Sequence, residues 1–442
     1  MARDVLIYVV VHQPRRLKLP AQPIPFGASA QDVERCLFDE TLNERYFRKV
    51  AGTCYRPATE MFMELVEEGL RLNVGLSFSF LHQALMWDPE LVDAFRRLVA
   101  HPNVELIGVE PYHGFVLLLD LERFVERMRW AQDRLAELFG RRPRVTDTTE
   151  LCMSDPIYAA LDRAGFAGSF IDGRPWVLGW RAPSFLYHGG GSLKLLVRHH
   201  PLSDDVGYRF SDRTWSGWPL MADTYASWLG QASGDLVVLA WDYETFGEHH
   251  WQDAGIFDFM RRLPREARQR DVRFVTASEA IAAHGAESHH LALPVFPATW
   301  AGSGGMEFFL GNPAQQAVFQ LMLHAYNKAR LSRDGRMLDL ALWLTQSDNL
   351  HLIQWYGSEG SEAEVSSYFT PEEWWRLGRD GIVREIQQVY KNFVGALDVS
   401  ASRGRPVRRG RPARPDPEVA ASARSVLRSG VRGPGRRPAS VQ

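Results

Sequence analysis

The chain has 442 residues, 45% hydrophobic and 12% aromatic, enough to bury a sizeable core in one large domain with a smaller companion. Its net charge of −2 is unevenly spread, because residues 401–442 carry eleven arginines against Asp416 and Glu418 and leave the first 400 residues at −11. An acidic body suits a phosphate backbone poorly, and no apolar run approaches the ~18 residues of a membrane-spanning helix.

Nucleic acid is therefore not an expected partner of the body, and neither is a membrane. The N-terminal "MARDVLIYVVVHQP" lacks the apolar length and small-residue cleavage site of a signal peptide, which predicts a cytoplasmic protein. Cys36, Cys54 and Cys152 are odd in number and have no paired spacing, as expected of reduced thiols. Nothing in the sequence sets an oligomeric state.

In chain order, 4–11, 74–80, 104–109, 144–149, 192–198, 236–241 and 272–276 read as buried strands. Amphipathic stretches such as 89–100 and 120–139 separate several of them, a pattern that gives parallel strands joined by right-handed crossovers. About seven repeats predict an α/β fold of the (β/α) barrel kind. The segment 171–191, rich in Gly, Pro and Trp, reads as a long loop over one face. After residue 312 the apolar period turns helical over 313–331, 335–353 and 371–397, with Pro371, Glu372 and Glu373 as a helix start. The expected organisation is a barrel over 1–300, a helical domain completing the site over 301–398, and a disordered Arg/Pro/Gly-rich tail over 399–442.

Polar clusters fall where strands end. "HQPRR" follows the first strand, "EPYH" the third, "ELCMSD" the fourth and "DYETFGEHHW" the run at 236–241. Loops after the C-terminal ends of parallel barrel strands converge on one mouth, so these clusters should meet. Glu150 and Asp242, from different strands, would face each other with Glu110, Glu244 and Asp348 nearby, beside His12, His113, His249, Trp241 and Trp251. Paired carboxylates across a cleft are the minimal equipment for breaking a glycosidic bond, and indole faces suit sugar rings. Blander roles exist for each: a helix N-terminal carboxylate for Glu150, a solvated loop pair for Asp242 and Glu244, a cap for Asp348.

"HQPRRL", "TTELCMSD", "LAWDYETFGEHHW" and "ALWLTQSDNLH" resemble, in order and interval, the motifs of glycoside hydrolase family 57, and most of all its α-amylase type, over residues 5 to 395. The resemblance implies an incomplete seven-stranded (β/α) barrel followed by a helical domain. It also implies action on α-glucans or maltooligosaccharides by a retaining mechanism, with no metal or cofactor required. It makes Glu150 the nucleophile and Asp242 the general acid/base, and gives His12, Glu244 and Asp348 contacts to the sugar. "GVEPYH" matches a second motif loosely through Glu110 and His113. The family's Trp-Ala-Asp/Glu stretch is replaced by "TWAGSGGMEFFLGN", with Gly302 and an inserted glycine-rich turn, and His249 stands where some relatives have Trp. Hydrolysis and glycosyl transfer share one covalent intermediate and differ in whether water or a sugar hydroxyl resolves it. Both remain open, as does non-catalytic glucan binding. A metal-dependent deacetylase using His12, His199, His200, His249 or His250 is disfavoured because no HExxH or paired i,i+4 histidines occur.

Overall fold

The computed structural model describes residues 3–332 and 334–402, which cluster into one compact unit. The expected tail lies outside the described residues except for its first four, which continue the last helix. No helix among the described residues is long and apolar enough to cross a membrane.

Seven parallel strands form the barrel: β1 (Arg3–Val11), β2 (Leu72–Leu76), β3 (Val104–Val109), β4 (Val145–Asp147), β5 (Gly168–Asp172), β7 (Lys194–Arg198) and β8 (Leu236–Asp242). Strand β1 pairs with both β2 and β8, and a single pairing, Arg198 with Val238, joins β7 to β8 and closes the ring. A short β6 (Leu186–His188) runs antiparallel to β7, and β10 (His289–His290) extends that edge.

Three expectations need correction. The segment at 272–276 is not a barrel strand: β9 (Val272–Phe274) pairs only with the start of β1. The barrel's fifth strand is instead Gly168–Asp172, whose last two residues fall in the segment expected as a loop. The rest of that loop contains the helix Pro175–Leu178 and β6. Likewise, 74–80 divides into β2 and a helix (Phe78–Trp87) capped by Ser77, whose side chain accepts the Phe80 N–H.

Side-chain alternation sets the core in two layers. On β1, Leu6, Tyr8 and Val10 fill the barrel with Val238 and Ala240 of β8, while Val5, Ile7 and Val9 pack outward against the helices. The long helices Pro313–Ser332 and Arg379–Ser402 pack on each other beside the barrel. The helical stretch expected over 335–353 is broken into Gly335–Trp343 and Asp348–His351. At the break Gly114 and Gln346 form a β-bridge, the Phe115 N–H donates to the Thr345 carbonyl (2.8 Å), and the Arg15 N–H donates to Gln346 Oε1 (2.9 Å). The break delivers Ser347 and Asp348 to the barrel mouth.

Candidate active site

Glu150 lies three residues past β4 in a 3-10 turn, Thr149–Leu151, with φ of 56°, and Leu151 follows at 51°. Two successive non-glycine residues in the left-handed region persist only where neighbours over-determine them. Here Thr149 Oγ1 donates to the Gly114 carbonyl (2.7 Å), Thr148 Oγ1 to that of Cys152 (2.7 Å), and the Trp300 N–H to that of Glu150 (3.2 Å). The carboxylate itself accepts from Trp300 Nε1 (2.7 Å, at Oε2) and Ser347 Oγ (2.9 Å, at Oε1). Burial pushes its pKa up to about 8, opposed by the indole donor and reinforced by the Asp348 and Asp242 carboxylates.

Asp242 ends β8 opposite Val10 of β1. It shares the face of Val238 and Ala240, so the alternation of the strand aims it into the mouth. Burial raises its pKa to about 6, held back by the Arg198 guanidinium and His12.

The third carboxylate is in a different state. Burial alone would raise Asp348, yet His12 beside it, with His113 and His351, holds it well below the usual carboxylate range. His12 Nε2 lies 3.0 Å from Asp348 Oδ2 and Nδ1 lies 3.0 Å from Ser77 Oγ. Since Ser77 Oγ already accepts the Phe80 N–H, its hydroxyl proton is free for Nδ1, which leaves Nε2–H to donate to Asp348. The His12 ring stacks on His113 (4.4 Å between centroids), whose burial lowers its pKa to about 3 and keeps it neutral. His113 Nδ1 is 3.3 Å from Ser347 Oγ and 3.7 Å from Glu150 Oε1.

Glu244 accepts the Tyr55 hydroxyl (2.6 Å), and burial with the nearby Asp242 charge raises its pKa well above the usual range. It sits in a 3-10 turn, Tyr243–Thr245. His249 lies partly buried, edge-on to Phe369 (5.8 Å), and burial lowers its pKa to about 4.

Two expected contacts are revised. Trp241 occupies an odd position on β8, points to the helical layer, is 2% exposed, and donates Nε1–H to the Ser203 carbonyl (2.8 Å). It is a core residue. Trp241→Ala should therefore cost roughly 3–5 kcal/mol of stability. In thermal and denaturant melts that loss should appear while KM of the surviving enzyme is unchanged. Glu110 is buried, and its Oε2 accepts the N–H groups of Tyr112 (2.9 Å) and Gly114 (2.6 Å), so it fastens the turn carrying His113. Trp251, 61% exposed, stands on the loop after the Asp242 turn.

The sequence reading missed Trp300 and Ser347, the two donors to Glu150. Trp300 was visible only as a Trp beside a glycine-rich turn, and Ser347 as the neighbour of Asp348. Among the described residues, His12, His113 and Asp348 form the one group whose ligand atoms, all within 4.8 Å of one another, could hold a metal ion. Their contacts with each other, Ser77 and Ser347 already satisfy these atoms as a hydrogen-bonded set. Cys54 and Cys152 are buried free thiols, and Cys36 is free and half-buried.

The family model of glycosyl hydrolase family 57 matches residues 6–293. A Methanocaldococcus jannaschii protein provisionally named an alpha-amylase is 32% identical over 372 residues, covering 81% of this chain and 78% of that one. Among solved structures, the 4-alpha-glucanotransferase of Thermococcus litoralis aligns with a TM-score of 0.62 at 15% identity over 89% of this chain, which spans only 60% of that enzyme. The family 57-type branching enzyme of Pyrococcus horikoshii aligns at 0.59 and 15% identity, over 94% of this chain and 98% of its own. At such identities these two likenesses bear on the fold alone.

Proposed function

Because this chain belongs to glycosyl hydrolase family 57, we propose that it cleaves α-1,4-glucans with retention of configuration, Glu150 acting as nucleophile and Asp242 as general acid/base. The observation that carries this reading is the cradle of Glu150. Two neutral donors, the Trp300 indole and the Ser347 hydroxyl, hold both its oxygens in place and oppose part of the rise in pKa that burial imposes. Asp242, raised toward neutrality by burial, supplies the proton from another strand.

In the first step Asp242 gives its proton to the glycosidic oxygen while the bond from that oxygen to the anomeric carbon breaks. A Glu150 oxygen bonds to the same carbon from the opposite face, leaving a covalent glycosyl-enzyme. Asp242, now a carboxylate, takes a proton from water, the water oxygen attacks the anomeric carbon, and Glu150 departs as the anion. His12, Asp348 and Glu244 bind the hydroxyls of the sugar being transferred. The name of the 32% identical relative favours water over a sugar hydroxyl as acceptor.

Incubation with maltooligosaccharides, with products separated by length, tests the activity. Shorter products alone are expected. Redistribution to longer chains would assign a transferase, and no change across conditions would leave glucan binding without catalysis. Proton NMR before mutarotation should show the α anomer; a β product would exclude Glu150 as nucleophile.

A further inference from the structure

Beside the cleft and outside the quoted motifs lies a buried charge network around Asp172, the last residue of β5. Its side chain is fully buried. Oδ1 accepts from Arg198 Nη1 (3.0 Å) and Oδ2 from Arg174 Nε (2.5 Å). Each arginine then reaches one partner of the proposed chemistry. Arg174 Nη2 donates to the Trp300 carbonyl, and Trp300 holds Glu150 through its indole and its main-chain N–H. Arg198 donates Nε–H to the carbonyl of Ala240, two residues before Asp242, and its guanidinium lies 5.7 Å from the Trp300 ring.

The chain is shaped to permit this. A Cβ on Gly304, which has φ of +96°, would lie 2.6 Å from Arg174 Cγ. The glycine-rich insertion after Trp300 thus wraps over the arginine that clamps Trp300. Similarly, a Cβ on Gly173 would lie 2.4 Å from the Arg198 carbonyl.

We propose that Asp172 is a positioning residue for the reaction, fixing Trp300 and so Glu150 through Arg174, and setting the charge beside Asp242 through Arg198. The proposal rests on the glycosidase reading. Asp172 and Asp204 balance Arg174 and Arg198, with Arg198 Nη2 donating to Asp204 Oδ1 (2.6 Å). His200 also faces the network, its Nδ1 3.3 Å from Asp204 Oδ2 and 3.8 Å from Asp172 Oδ2, and burial lowers its pKa. Removing one member therefore leaves an uncompensated buried charge whose sign depends on the member removed.

Asp172→Asn leaves net positive charge near Asp242, and Arg174→Met leaves net negative charge. Both should lower kcat by on the order of 10- to 100-fold by loosening the Glu150 cradle, with KM changed less. Their pH–rate profiles should move in opposite directions, Asp172→Asn to lower pH and Arg174→Met to higher pH, each by roughly half a unit. General destabilisation would not produce opposite shifts. A readout independent of activity is the Trp300 indole N–H resonance in ¹⁵N-Trp-labelled protein, assigned by its loss in Trp300→Phe. It should lie downfield in the native protein and move upfield in both variants.

Should Asp172→Asn not fold, Arg174→Met carries the test, through its kcat, its upward pH shift and its indole resonance. Folded variants with kcat within about twofold of native, or with unmoved profiles and resonance, would overturn the proposal. Native protein that leaves every glucan intact, while the indole resonance still moves in the variants, would sink the glycosidase reading and keep the positioning role.

Discussion

Glu150→Gln and Asp242→Asn should each lower kcat on maltooligosaccharides by on the order of 10³-fold or more, because each removes a bond-forming or proton-carrying group. The glutamine carbonyl oxygen can still accept the Trp300 indole N–H, and its amide N–H can donate to Ser347 Oγ once that hydroxyl turns, so the turn with its left-handed φ values need not rearrange. Circular dichroism and melting should confirm that the variants fold. Initial rates with a reducing-end assay then isolate the chemistry. A folded Glu150→Gln enzyme turning over at near-native rate would refute the nucleophile assignment. Loss of rate with unchanged KM would show that the charge acts in the transition state and not in uniform binding.

The second large effect is on pH. Burial, with the Asp348 and Asp242 charges, pushes Glu150 up to about 8, and burial with the Asp348 charge raises Asp242 to about 6. Between these values the pair holds one proton, as the first step requires. Below pH 6 both carboxyls are protonated and the nucleophile is lost; above pH 8 both are ionised and the acid is lost. The profile of kcat/KM should therefore be a bell with limbs near 6 and 8. In the empty cleft the shared proton rests mainly on Glu150, and the reaction draws on the form that carries it on Asp242. The profile of native enzyme should be measured at constant ionic strength. A flat rate from pH 5 to 9 would show that a proton on this pair does not control the reaction.

Much of the architecture was legible because alternation and helical period are direct consequences of burial. The strand 4–11 and the helix at 89–100 came out within a residue of their ends, since the strand is buried on both faces and reads as one apolar run, and the helix buries one continuous apolar face. Strand β5 was missed because it opens on Gly168, carries the polar Ser169 and Asp172, and runs directly into Gly, Arg and Pro. The carboxylates and His12 were legible because their motifs end barrel strands. Trp300 and Ser347 were not, since their roles depend on how a loop and a broken helix fold back over the mouth. Trp241 was misplaced for a simpler reason: it is adjacent to Asp242 in sequence, and adjacency on a strand means opposite faces.

The seam between the barrel and the helix break has a consequence for how the protein is made. Glu150 is synthesised almost 200 residues before Ser347 and Asp348, the residues that complete its surroundings. Domains generally fold in the order in which they are synthesised. A nascent barrel therefore spends part of its synthesis with the Phe115 N–H and the Glu150 carboxyl still lacking the partners that Thr345 and Ser347 later provide. The finished cleft therefore appears only when the late helices have left the ribosome and docked.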